Sequence, residues 1–186
     1  TMKRFHPAAY WLVIITTSTA GTTISDYIDR TLGLGYATGS AMIAGLLLLV
    51  LAVWFASEKS LAVDKIRSRR TECFYWIAIL VSNTLGTALG DYLADDSGLG
   101  FLGGAALIGV AILCIALIAF FTNANRVLLF WLAFVLTRPF GATLGDLMTK
   151  SQDQGALGLG TAVSSSILFA VLFVLIIRST AHEHAR

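Results

Sequence analysis

Three aspartates, Asp26, Asp91 and Asp146, stand at one repeated position of the sequence, five residues after a glycine. Each lies near one end of a long apolar run. A charged side chain within a membrane-spanning helix costs about 2.5–3.5 kcal/mol at the bilayer centre, so it usually faces the protein interior and has a function. The pattern therefore predicts carboxylates that bind a cation or carry a proton. The alternative is that each aspartate lies at the water line and ends its helix.

Neutral polar residues precede the aspartates at helical spacing. Positions four and eight residues before each aspartate share one face of a helix with it. Carboxylate, amide and hydroxyl oxygens suit hard cations such as Mn²⁺, Mg²⁺ or Ca²⁺. The alternative for the hydroxyl and glycine stripe alone is close helix packing. The predicted metal ligands are Asp26, Asp91, Asp146, Asn83, Ser18, Thr22 and Thr87.

Arg138 takes the place in the third copy that Ser18 and Asn83 take in the first two, and Pro139 follows it. A proline inside a helix frees a carbonyl and kinks the helix. We expect Arg138 to balance charge or to act as a gate, paired with Asp91 or Asp146. Snorkelling or binding of an anion are the alternatives.

The sequence lacks the residue sets that enzymatic catalysis usually requires. There is no set of serine, histidine and aspartate and no cysteine–histidine pair, so the chain is not expected to be an enzyme or to carry a resident cofactor. Cys73 and Cys114 fall within predicted helices, where cysteine behaves as a small apolar residue. A net charge of +2 without a basic stripe argues against nucleic acid as a partner.

The aspartates belong to a longer repeated pattern. In three places a tryptophan precedes the glycine by ten residues, and the glycine precedes the aspartate by five. Agreement of both spacings in three copies indicates duplication of one unit. Each copy continues with a glycine-containing loop and a second apolar run, and the third loop carries a five-residue insertion. The predicted units are 1–60, 61–125 and 126–186, and the repeated residues are Trp11, Trp76, Trp131, Gly21, Gly86 and Gly141.

The composition predicts an all-α integral membrane protein. Hydrophobic residues make up 56% of the chain, charged residues 13%, and the mean hydropathy is +0.79. The apolar runs are too long for the strands of a membrane barrel and do not alternate, so helices are expected to satisfy the backbone in lipid. Two spans per unit make the units parallel. The predicted spans are 8–28, 37–56, 74–93, 101–121, 127–148 and 158–177.

Basic residues concentrate on one side of the predicted spans. The linker 57–72 and both termini carry most of the lysine and arginine, whereas the opposite loops are acidic. The positive-inside rule then places both termini in the cytoplasm. We expect a multi-pass protein of the bacterial inner membrane.

The repeated stretches 19–27, 83–91 and 136–143, together with the linker 54–61, resemble the bacterial uncharacterised membrane-anchored repeat protein family. The resemblance covers almost the entire chain. It implies a polytopic inner-membrane fold and carries no settled activity. A weaker similarity links Gly90-Asp91 and Gly145-Asp146 to cation exporters that repeat a glycine–aspartate pair on symmetric helices, and Ser25-Asp26 departs from that pair.

The resulting hypothesis is a membrane transporter or exporter of a divalent cation, with Mn²⁺ the first candidate. A scaffold or partner-binding subunit without transport is one alternative. A proton-coupled exporter of small solutes, with a cavity lined by the three repeated tryptophans, is another, although these tryptophans also fit an interfacial belt. The expected partners are the lipid bilayer and a second copy in a homodimer, unless the three units close around a pseudo-threefold axis.

Overall fold

The computed structural model describes residues 7–63 and 68–184. Its secondary-structure elements are all helices, and no strand occurs in these ranges. Parts of the orientation prediction, including Lys3, Arg4, Lys65, Arg67 and Arg186, lie outside the described residues. The helices are α1 (Pro7–Asp26), α2 (Tyr36–Glu58), α3 (Arg69–Asp91), α4 (Gly100–Phe121), α5 (Arg126–Thr149) and α6 (Gly160–His184).

Local sequence sets several helix boundaries. The Ser68 hydroxyl accepts a hydrogen bond from the Thr71 amide at the start of α3, and the Asn125 side chain accepts two from the first amides of α5. Such side chains satisfy amides that have no partner within the helix. At the other end of α2, Lys59 adopts a left-handed conformation with φ 56° and closes the last turn through its amide.

The loop inside each unit is built in the same way. Two glycines separated by one residue have φ between 64° and 76°, a conformation that residues with a Cβ rarely adopt. The repeated glycine pattern is therefore a backbone requirement of the turn between the two helices of each unit. The five-residue insertion in the third loop accommodates a 3₁₀ turn, Gln152–Gln154. The glycines are Gly33, Gly35, Gly98, Gly100, Gly158 and Gly160.

The units pack in series, and α3 lies at the centre. The helices α1 and α2 of the first unit both pack on α3, and α3 and α4 of the second unit both pack on α5. An apolar core fills the space between α2, α3 and α5, with Trp54 fully buried against Trp131. The structure is thus a chain of overlapping contacts in which each unit holds the first helix of the next.

Within the part of the chain that the structure describes, four helices are long and apolar enough to cross a membrane: α2, α3 with the turn that extends it to Asp96, α4 and α5. Neither α1 nor α6 is among these four. Four consecutive polar residues, 16–19, interrupt α1. In α6, the apolar stretch whose side chains the structure describes, Gly160–Val174, is shorter than these four spans. The all-helical prediction is confirmed. The predicted start of the third span at residue 74 was late, since α3 begins at Arg69.

Candidate functional site at the aspartate end of the bundle

The repeated aspartates lie near the carboxyl ends of the three odd-numbered helices, which we call the aspartate end. Asp26 and Asp91 are the last residues of α1 and α3, and a π-helical turn follows each, Tyr27–Thr31 and Tyr92–Asp96. Asp146 lies one turn before the end of α5. Single π-helical turns are rare and often occur at functional sites. Duplication has therefore preserved the local backbone of the first two aspartates, and the third sits in an uninterrupted helix.

Arg30 joins two of the aspartates. Its Nε lies 3.5 Å from Asp26 Oδ1, and its Nη2 lies 3.7 Å from Asp91 Oδ2. The Asp91 side chain is 15% exposed, whereas those of Asp26 and Arg30 are 42% and 61% exposed. The i, i+4 spacing of Arg30 from Asp26 is visible in the sequence and is typical of ion pairs on one helix face.

Asp146 adds a third carboxylate to the same electrostatic environment. It lies within electrostatic range of Asp91 and Arg30, and its other charged neighbours are Asp95 and Lys150. Carboxylates therefore outnumber cationic groups around Asp91. Asp91 is thus within electrostatic range of both other predicted aspartates. Among the described residues, only Asp26 and Asp91 share a direct ion-pair partner.

The predicted neutral ligands lie along the contact between α1 and α3. The Thr22 and Thr87 hydroxyl oxygens are 3.2 Å apart and join the two helices, while Thr22 also donates to the Ser18 carbonyl at 3.3 Å. This pair lies one helical turn, about 6 Å, from the aspartates along each helix. The contact is therefore a helix-packing feature as well as a set of oxygen atoms beside the site.

Asn83 lies deeper in the same contact. It is 5% exposed, and neither atom of its amide has a hydrogen-bond partner. A Cβ added at Gly21 would lie 2.8 Å from Asn83 Cβ, so the glycine is what lets α1 approach α3 at this point. Unpaired buried amide groups are costly and call for a partner such as water or an ion.

No cluster of three or more histidine, cysteine, aspartate or glutamate side chains in a metal-binding arrangement occurs within 7–63 and 68–184. Arg30 lies between the two carboxylates that would be the first choice as ligands. The oxygen donors present fit a hard cation by chemistry. A cation would have to compete with the guanidinium for Asp26 and Asp91.

The expected ion pair of Arg138 with Asp91 or Asp146 is not found. Arg138 Cζ instead lies 5.4 Å from the centre of the Phe134 ring, and Tyr10 and Tyr75 are within electrostatic range. Eight residues, or about 12 Å of helix, separate Arg138 from Asp146. Helical side chains lean towards the amino end of their helix, which carries the guanidinium away from the aspartates.

The repeated tryptophans differ in exposure. Trp131 is 4% exposed and donates a hydrogen bond from Nε1 to the Leu61 carbonyl at 3.0 Å, whereas Trp11 is 61% exposed. The duplicated positions therefore have different environments. The solute-exporter alternative, with a cavity lined by these tryptophans or other aromatics, stays a prediction.

Sequence reasoning also missed a buried carboxylate, Asp29, in the π-helical turn after α1. Asp29 is 5% exposed and accepts a hydrogen bond from the Ser25 hydroxyl at 3.2 Å, while its Oδ1 has no partner. It packs directly on Gly39 in the first turn of α2. Burial raises the pKa of the Asp29 carboxyl, and the hydrogen bond from Ser25 opposes that shift. No local pattern signalled this, because a single aspartate next to a loop usually points to water.

Comparison with known protein families identifies the class of this chain. A repeat family described as "Repeat of Unknown Function (DUF347)" matches residues 9–60, 74–125 and 129–184. The chain therefore belongs to the DUF347 repeat family and contains three copies of the repeat. No curated protein and no solved structure matches it.

Proposed function

We propose that the protein is a multi-pass membrane transporter or exporter of a divalent cation, with Mn²⁺ as the first ion to test. In this proposal all six helices cross the bilayer as three parallel units, both termini face the cytoplasm, and the membrane is the bacterial inner membrane. The four long apolar helices support membrane insertion. No resident cofactor and no catalysis are part of the proposal.

The observation that carries the proposal is the excess of carboxylates around Asp91. Asp26, Asp91 and Asp146 come from three successive units and lie near the same end of the bundle, and Arg30 is the counter-charge that pairs with the first two. A cation could enter by displacing the guanidinium, which is mostly exposed and also donates a hydrogen bond from Nε to the Tyr36 hydroxyl at 3.1 Å. The threonine pair and Asn83 would supply neutral oxygens further along the same helix contact.

The proposal is tested with purified protein in liposomes that contain a Mn²⁺-sensitive dye. Asp91→Asn should abolish Mn²⁺ flux while the protein stays folded and still shows a thermal unfolding transition. Asp153→Asn, at an exposed acid in the 3₁₀ turn, is the matched control and should keep normal flux. Unchanged flux in Asp91→Asn would retire the proposal.

A second function, a scaffold or partner-binding subunit without transport, is favoured by one observation. Arg30 already pairs with Asp26 and Asp91, so these charges could serve to hold the first two units together. This alternative predicts no flux in any variant. It also predicts that Asp91→Asn lowers the melting temperature more than it changes cation binding.

A further inference from the structure

The contact between successive units uses the same two repeat positions each time. Gly21 of the first unit packs on Asn83 of the second, and Gly86 of the second packs on Arg138 of the third. In the third unit the corresponding glycine, Gly141, is exposed and has no atom near the place where a Cβ would lie. The glycine surface that receives the next unit is therefore present in the third unit, and no described residue covers it.

The even-numbered helices follow the same rule. Just as α2 packs on α3 and α4 packs on α5, α6 would pack on the first helix of a following unit. In this chain α6 makes a limited contact with α5, its own partner in the unit. Large apolar side chains along α6, such as Phe169 and Leu172, are mostly exposed. Both helices of the third unit thus present a surface for one further helix of the type of α1, α3 and α5, the first helix of a unit.

The first helix of the chain, α1, exposes the face that α3 and α5 bury against the preceding unit. Thr84 and Ala88 on α3 are buried, and so is Thr143 on α5, because the preceding unit covers them. Thr19 and Thr23 occupy the same repeat positions on α1 and are exposed. A shallow groove follows this face, lined by Ile15, Thr16, Thr19, Ala20, Thr23 and Ile24.

We infer that α1 of a second copy docks on the third unit, against α5 at Gly141 and against α6. The occupant is a second copy because α1 is a helix of the same repeat type as α3 and α5, and its contact with the third unit continues the contact that successive units of this chain already make. Repeat geometry places Ser18 of the second copy opposite Gly141, as Asn83 lies opposite Gly21. Two copies that exchange this contact in both directions form a closed two-fold dimer, which leaves neither surface free.

Small and hydroxyl-bearing residues suit this contact physically. Glycine on one helix and serine or threonine on the other let the backbones approach closely, which increases van der Waals contact and allows hydrogen bonds between the helices. The hydroxyls of α1 now bond within their own helix, for example Thr23 to the Thr19 carbonyl at 3.0 Å. No buried group therefore has to lose a partner when the dimer forms. The inference does not depend on transport.

The first experiment measures mass in detergent by light scattering. The wild-type protein should have twice the monomer mass of 19.9 kDa, and Gly141→Leu should reduce it to one monomer mass. Gly45→Leu is the matched control, since Gly45 is likewise an exposed helical glycine with open space around it. It should remain dimeric. A monomeric wild type, or a Gly141→Leu protein that stays dimeric, overturns the inference.

The second experiment uses disulfide cross-linking in a background that carries Cys73→Ala and Cys114→Ala. The pair Ser18→Cys and Gly141→Cys should give an oxidised band at twice the monomer mass. A pair with Leu48→Cys, on an exposed face of α2, in place of Ser18→Cys should give none. A Ser18–Gly141 cross-link at monomer mass would mean that the units close within one chain and would overturn the inference, as would the absence of any cross-link.

Discussion

Arg30 Nη2 lies 3.7 Å from Asp91 Oδ2, so an arginine of the first unit is paired with a carboxylate of the second unit. Asp91 is the less exposed of the two carboxylates that Arg30 contacts. The same guanidinium contacts Asp26 four residues before it. The ion pairs thus connect two units at the end of the bundle where all three repeated aspartates lie. The effect of removing the guanidinium distinguishes a cation-binding site from ion pairs that only hold the two units together.

Arg30→Gln should strengthen Mn²⁺ binding if the aspartates are ligands. The substitution removes a competing positive charge, and one unit charge at about 4 Å in water is worth about 1 kcal/mol, or roughly a fivefold change in dissociation constant. Thermal shift across a Mn²⁺ titration measures this change. Arg70→Gln, which removes another exposed arginine paired to a carboxylate, Glu58, is the control and should leave Mn²⁺ binding unchanged. Weaker binding in Arg30→Gln would show that the guanidinium holds the site together.

Gly86→Ala should destabilise the protein by about 1–3 kcal/mol, the usual cost of overpacking. The new methyl group would overlap Arg138 Cβ and press on the backbone of α5 at its closest approach to α3. Chemical denaturation in a mixed micelle measures the change. Gly45→Ala has open space around it and should be neutral or stabilising by up to about 1 kcal/mol, because alanine favours helix over glycine. Equal effects of the two substitutions would contradict the packing argument.

Trp131→Phe should cost about 1–3 kcal/mol of unfolding free energy, since it leaves the Leu61 carbonyl without its donor and removes ring area packed on Trp54. Trp11→Phe, at the same repeat position in the first unit, should change stability by less than about 0.5 kcal/mol in the monomeric Gly141→Leu protein, because its ring is mostly exposed in the single chain. Denaturation followed by far-ultraviolet circular dichroism gives both values. If Trp11→Phe proved as costly as Trp131→Phe, α1 would have a covered face in solution.

Asp29→Asn should change how stability depends on pH. Burial raises the pKa of the Asp29 carboxyl above its ordinary value of 3.8, so the folded protein holds this proton more tightly than the unfolded chain does. Stability then falls as the pH rises from about that ordinary value through the raised one, and is constant beyond it. The variant should lack this fall and be more stable than the wild type at neutral pH. Melting temperatures between pH 3 and 8, with Asp153→Asn as the control, measure it, and a variant less stable at neutral pH would contradict the prediction.

The spacing of residues along the chain was enough to determine the repeats and the helical class. Long apolar runs without alternation leave helices as the expected structure, and the coincidence of two spacings in three places required duplication. The glycine loops followed as well, because a positive φ is a local backbone property that glycine permits.

Tertiary structure alone decided which charges meet. Arg138 was expected among the aspartates and lies with aromatic residues, because the lean of helical side chains and the offset between helices set its direction. Arg30 and Asp29 stand beside a loop in the sequence, yet Arg30 bridges two units and Asp29 is buried on Gly39. Repeat positions that are identical in sequence also diverge in burial. The reason is that a unit is covered by the one before it, and burial depends on that neighbour and not on the residue itself.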